Sequence, residues 1–278
     1  MKFSYQVATP EVLYNPGMTC LQGDFRENVK LLAELGYDSV ELMTTEPRSL
    51  DWAYLKDALE EFGMTAALVC TGEMGALGRN VSDPNPLRRT QGLRRIFEAV
   101  DLAAYLGVDI NAGRIKGDFA PGISREAMME NAVDGFRRLC DYAAERNVRV
   151  ALETAAYVFM SFINTCAEGE ALIHAVDRPN FGLMMDIFHM YVEERDLLRS
   201  IAEYGRYNLH VHLADNNRMY PGACGMDFRR IITAFHDSGF DGAFTVEVRQ
   251  LPIPEEAARG AARHLQPLFE EIYGRKSR

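Results

Sequence analysis

Apolar residues in this chain fall into short continuous runs, each followed by a longer stretch where they recur every three or four positions. The short runs are 3–8 (FSYQVA), 38–43 (DSVELM), 64–70 (MTAALVC), 108–113 (VDINAG), 148–153 (VRVALE), 181–186 (FGLMMD), 207–212 (YNLHVH) and 243–247 (AFTVE). Continuous apolar character, in place of strict alternation, marks parallel strands buried on both faces. The longer stretches predict helices over 24–36, 49–63, 86–107, 124–147, 165–177, 194–205, 227–239 and 255–273. Asp24 and Ser124 stand where N-caps belong, Gly36 and Gly63 where helices stop, and Pro86 suits a first helical turn.

Eight strand–helix units in unbroken alternation predict an α/β fold, a closed (β/α)8 TIM barrel, in a single domain spanning 1–278. The chain shows no linker, low-complexity tract or shift in composition. An open doubly wound sheet holding a dinucleotide would carry a glycine fingerprint after its first strand. The loop there reads TPEVLYNPG, so that alternative is weak.

A hydrophobic content of 47% with 25% charged residues is enough for one large core. The net charge of −10 argues against a nucleic-acid partner, which needs clustered Lys and Arg. The densest basic stretch, 88–95, falls on a predicted helix and reads as a solvated face. No apolar run reaches the length of a membrane span, and MKFSYQVATP lacks the plan of a signal peptide. Five scattered cysteines without a CxxC pair fit a reduced, cytoplasmic setting.

Candidate chemistry gathers in the second half of the chain. Four consecutive apolar runs close on Glu153, Asp186, His212 and Glu247, spaced 33, 26 and 35 residues apart. In a closed parallel barrel such endpoints converge on one rim. Taken singly, each carboxylate reads equally well as a helix cap or an ion-pair partner, and His212, like His210, as a core histidine. Together the four make a hard, mostly oxygen donor set suited to Mn²⁺, with Mg²⁺ or Co²⁺ also accommodated; Zn²⁺ usually takes fewer ligands and more nitrogen or sulfur.

The segments 148-VRVALE-153 with 163-INT-165, 181-FGLMMDIFHMYVEE-194, 210-HVHLADNNRMYPG-222 and 239-GFDGAFTVEV-248 carry a more specific likeness. With them the chain resembles the D-tagatose/D-psicose 3-epimerase group of the xylose-isomerase-like sugar isomerases and epimerases. The resemblance implies a small-molecule sugar substrate, metal binding by Glu153, Asp186, His212 and Glu247, and acid–base catalysis by Glu153 and Glu247. It also implies that His189 and Arg218 hold the carbonyl end of the substrate. On that reading a cation polarises the ketose, a cis-enediolate forms, and the two glutamates exchange the C3 proton from opposite faces.

One position departs from the group. Its first metal glutamate is followed by the pattern E-P-x-N-R-F-E, whose second glutamate contacts substrate; here the segment is 153-ETAAYVF-159, and Phe159 takes that place. An apolar wall replaces a polar contact, which opens the substrate choice to an inosose or a keto sugar with another hydroxyl pattern. Arg114 and Lys116 follow the fourth strand and raise a phosphate contact at the rim. The competing readings are an aldose–ketose or keto-inositol isomerase and a dehydratase or lyase using the same cation. A barrel-type DNA-repair endonuclease would need more histidines than the six present and a basic face. A binding subunit without catalysis sits poorly with two retained glutamates. A homodimer or homotetramer is expected from the exposed helical faces.

Overall fold

The computed structural model describes residues 1–274. The last four positions of the expected 1–278 domain lie outside the described residues. Eight strands, β1 (Lys2–Ala8), β2 (Ser39–Met43), β3 (Thr65–Cys70), β4 (Asp109–Ala112), β5 (Val150–Glu153), β6 (Phe181–Asp186), β7 (Asn208–Leu213) and β8 (Ala243–Val246), pair in sequence order. Every pairing is parallel, and β1 joins β8 to close the barrel. All eight expected strands are present, with ends shifted by no more than two residues.

Among the described residues ten α-helices surround them: α1 (Phe25–Glu34), α2 (Trp52–Glu61), α3 (Gly72–Ala76), α4 (Pro86–Leu106), α5 (Arg125–Ala144), α6 (Cys166–Val176), α7 (Ile187–Glu193), α8 (Leu197–Tyr204), α9 (Phe228–Asp237) and α10 (Pro254–Tyr273). Asp24 and Ser124 cap α1 and α5 as expected, through Glu27 N and Ala127 N. The helix expected over 49–63 starts later, because Asp51 is the cap that accepts from Tyr54 N, after a 3-10 turn at Pro47–Ser49. Two short helices stand where loops were expected. Within the glycine-rich stretch, α3 packs so tightly on the 3-10 turn Arg114–Lys116 that a Cβ at Gly75 would sit 2.4 Å from Arg114 Cβ. Ahead of α8, α7 is capped by Asp186.

Side chains alternate along each strand, so the barrel has an outer and an inner face. The outer set, with Phe3, Tyr5, Val7, Val40 and Leu42, packs against the helices; Phe3 stacks on Tyr37 at 4.1 Å and meets Phe269 at 5.3 Å. The inner set is layered. Leu68, Ala151 and Met184 with Leu209 form an apolar floor. Above it lie the buried polar groups Gln6, Glu41, Asn111, His210 and Thr245. The donors at the C-terminal rim complete the stack, with Asp186 directly opposite His212 in the β6–β7 register.

Candidate active site

Glu153 and Asp186 are the last residues of β5 and β6, His212 is the penultimate residue of β7, and Glu247 follows β8 immediately. One donor atom from each lies within 4.8 Å of the others. His212 Nδ1 is 3.2 Å from Glu247 Oε2, 3.7 Å from Asp186 Oδ2 and 3.8 Å from Glu153 Oε1. All four side chains are buried.

The imidazole shows how this set suits a cation. His212 Nε2 lies 2.8 Å from Glu41 Oε2, so that nitrogen is committed to a carboxylate. Nδ1 is buried, faces the three carboxylates and makes no hydrogen bond. A ring whose far N–H is held by a carboxylate presents its other nitrogen as a ligand in a fixed direction. Burial works against a charged imidazole, but Glu41 and Glu247 outweigh it and hold His212 well above the ordinary histidine range.

Glu41 is the buried hub of the layer below. Its carboxylate also accepts from Gln6 Nε2 at 2.8 Å and meets His210 Nε2 at 2.9 Å. Burial resists its ionisation, yet His212 and His210 keep its pKa far below the usual carboxylate value. Glu41, His210 and His212 also bring donor atoms together, but their contacts are already hydrogen bonds within the cluster.

The acidic residues differ in environment. Burial raises Glu153 to about 7, with Glu247 and Asp186 adding to the rise and His212 opposing it. Gly113 makes room for this carboxylate: a Cβ there would lie 2.1 Å from Glu153 Oε2. Burial also penalises Glu247, but Arg218 and His212 hold it below the ordinary value, and Thr19 Oγ1 donates to its Oε1 at 2.8 Å. Asp186 uses its two oxygens separately. Oδ1 accepts from Phe188 N (2.8 Å) and His189 N (3.2 Å), starting α7, while Oδ2 accepts from Arg218 Nη1 at 2.8 Å.

The two expected substrate-holding residues reach the same centre. His189 Nε2 lies 3.7 Å from Glu153 Oε1 and 3.8 Å from Asp186 Oδ2. Burial lowers its pKa to about 4, so the ring is neutral, and its Nδ1 has no hydrogen bond. Arg218 adopts a positive φ of 62° and lies buried against Asp186 and Glu247, with its second nitrogen donating to Glu247 Oε2. In this structure Arg218 therefore pairs with two of the donor carboxylates.

A cavity of about 440 Å³ opens above the donors. Its lining includes the apolar Phe159, Met160 and Phe188 and the polar Asn15, Asn217 and Arg249. Phe159 packs edge-on against His189 at 5.5 Å between ring centres, giving the apolar wall read from the sequence. Lys116 differs from its expected place at the rim. It is fully buried and donates through Nζ to the Glu153 carbonyl at 3.1 Å, because the 3-10 turn after β4 rolls it inward. Arg114 faces Glu73 at 3.5 Å. Sequence reasoning missed Glu41, Gln6 and Thr19; the available signal was one acidic residue in an otherwise apolar buried strand.

The sequence profile of the xylose isomerase-like TIM barrel family matches residues 29–268. The chain belongs to this family. As a xylose isomerase-like barrel it is similar to the L-ribulose 3-epimerase of Methylomonas sp. (strain DH-1), at 30% identity over 226 residues, 80% of this chain and 77% of that protein. It is 29% identical to the ketose 3-epimerase of Arthrobacter globiformis, over 80% of this chain and 76% of the relative. In fold the xylose isomerase-like barrel overlies the D-psicose 3-epimerase of Clostridium cellulolyticum H10, solved with D-tagatose. That match has a TM-score of 0.81 and 20% identity, and covers 98% and 99% of the two chains.

Proposed function

We propose that this barrel is a divalent-metal-dependent ketose 3-epimerase, with Glu153, Asp186, His212 and Glu247 as ligands and Glu153 and Glu247 as the acid–base pair. The observation that carries this reading is the unpartnered His212 Nδ1 turned toward three buried carboxylates. The names of the similar epimerases support it. Mn²⁺ is the cation we assign, with Mg²⁺ and Co²⁺ fitting the same oxygen-rich set. Such a cation, when bound, draws electron density from the carbonyl and neighbouring hydroxyl of a ketose and acidifies C3–H.

The protein's own groups do the rest. Glu247, held ionised beside Arg218, takes the C3 proton. Glu153 returns a proton to the opposite face and inverts the centre. Arg218 and the neutral ring of His189 steady the carbonyl end, and Phe159 and Phe188 give the cavity an apolar wall. The wider setting belongs to the same proposal: one domain over 1–278 in the cytoplasm, acting on a sugar. It includes a homodimer or homotetramer, to be checked by sedimentation equilibrium. Exposed Leu13, Tyr14, Tyr157 and Val158 on the loops around the site, with Tyr191 on α7, favour such assembly. Among the described residues no helix is long and apolar enough to cross a membrane.

A second reading, loss of water from a keto sugar or inosose, is favoured by Phe159, 48% exposed and facing the cavity. Incubating keto sugars and inososes with the protein and Mn²⁺ in deuterated water separates the two. Epimerisation places deuterium at C3 without net loss of water; dehydration produces a new ultraviolet absorbance. Glu153→Gln and Glu247→Gln should each reduce exchange by at least ~100-fold, within the range general acid–base groups supply. Full exchange in both variants refutes the two-glutamate mechanism.

A further inference from the structure

The charges lining the cavity are not balanced. Glu153 and Glu247 line it and, with Asp186 beneath, surround His212 Nδ1, while Arg218 pairs with Asp186 and Glu247. Glu73 and Arg114 offset each other at 3.5 Å. That leaves Arg249, which lines the cavity with its side chain exposed. Among the described residues no carboxylate lies within ion-pair reach of its guanidinium.

Its root is fixed. The Arg249 backbone N–H donates to the Arg218 carbonyl at 2.8 Å, joining the loop after β8 to the loop after β7. The next residue is tied on both sides: Gln250 Nε2 donates to the Val248 carbonyl at 2.6 Å, and Tyr5 on β1 donates to Gln250 Oε1 at 3.2 Å. Barrel order makes the loops after β7, β8 and β1 consecutive around the rim. Asn217, Arg249 and Asn15 come one from each of the three and line the same cavity. This is the sector where barrels bind anions, beside the last strands. Arg249 lies two residues beyond Glu247, so their Cα atoms are at most ~7 Å apart. Both residues line the same cavity, so one small molecule can meet both.

We infer that the cavity takes an anionic keto sugar, with a phosphate monoester or carboxylate on its terminal carbon, and that Arg249 binds that anionic group. The inference rests on the keto-sugar reading above and narrows it to a substrate class. A guanidinium gives either anion two parallel charge-assisted hydrogen bonds, and Asn15 and Asn217 in the same cavity offer neutral polar contacts.

The test uses the full chain loaded with Mn²⁺ and three probes: D-allulose, D-allulose 6-phosphate and the corresponding 6-carboxylate. The readout is kcat/KM for C3 hydrogen exchange, expressed as the ratio of anionic to neutral substrate. The wild-type ratio should favour an anion, and Arg249→Ala should lower that ratio by ~10- to 100-fold, mainly through KM. Arg249→Lys should restore part of it and Arg249→Glu should lower it further. Whichever anion loses more in the variants is the native terminal group. A ratio near one in the wild type, or a ratio that Arg249→Ala changes by less than about twofold, overturns the inference. A parallel calorimetric titration with sorbitol 6-phosphate, which has no carbonyl, reads binding alone. If no probe exchanges hydrogen but Arg249→Ala abolishes this binding, the epimerase reading falls and the anion site stands. Equal binding by wild type and Arg249→Ala removes the anion site.

Discussion

His212 has a different task on each ring nitrogen, and Glu41 sets which is which. With Nε2 held by Glu41 at 2.8 Å, only Nδ1 faces the carboxylates. Glu41 in turn is fixed by Gln6 and His210, so the imidazole rests on a buried network. Outer partners of this kind typically alter metal affinity by ~10- to 100-fold when removed. Glu41→Gln keeps the shape and one acceptor oxygen but loses the charge. Its dissociation constant for Mn²⁺, measured by calorimetry, should rise by that factor while the far-ultraviolet circular dichroism is retained. An unchanged constant would reduce Glu41 to a space-filling polar group. The sequence did not single out this residue because Glu41 lies more than a hundred positions before the other donors and its strand, SVELM, reads as ordinary core. Lys116 went astray for a related reason. Distance along the chain put it near the rim, whereas the local turn buries it beneath Glu153.

At the scale of elements, strand ends and helix starts are the same residues. Asp186 closes β6 and caps α7 with Oδ1, leaving Oδ2 for the site. Asp186→Asn and Asp186→Ala both remove the charge and should both abolish the response to Mn²⁺. Asn still caps a helix about as well as Asp, whereas Ala does not. The Ala variant should therefore unfold in urea with ~1 kcal/mol less stability than the Asn variant. Equal midpoints and slopes would mean that the cap contributes nothing. The strands were legible because a parallel strand buried on both faces must be apolar throughout, which leaves a continuous run in the sequence. Their ends were legible because a polar residue closing such a run has nowhere else to face. Short helices left no such mark. Five residues in α3 and seven in α7 are too few for a periodic stripe. Contact with the Arg114 turn fixes α3, and Asp186 fixes the start of α7; both are tertiary facts.

For the whole molecule, the rim concentrates opposed electrostatic effects in one buried layer, so stability and cation binding must vary with pH together. Burial opposes charge on Asp186, Glu247 and Glu41, but their cationic neighbours hold all three pKa values below the unfolded ones. Their contribution is present above the ordinary carboxylate range and is lost as pH falls through it, which gives an acid limb of unfolding. Glu153, raised to about 7, and His212, raised above its usual range, act in the opposite sense. Their contributions are full below their unfolded values and fade as pH rises through the folded ones. A cation binds the deprotonated forms of these same two groups, so it must displace their protons. Each displaced proton weakens apparent affinity tenfold per pH unit, or ~1.4 kcal/mol. At a hundredfold excess over its dissociation constant, a ligand stabilises the native state by ~2.7 kcal/mol. In a chain of this size that corresponds to roughly 5 °C or more in the melting midpoint. At a fixed Mn²⁺ concentration the gap between loaded and chelator-treated protein should therefore widen from pH 5 to pH 8, as the metal-free form loses the Glu153 and His212 contributions and the loaded form gains affinity. Calorimetry in two buffers of different ionisation enthalpy should show protons released on binding near pH 6. A gap independent of pH, with no proton release, would mean that the cation does not bind among these four side chains.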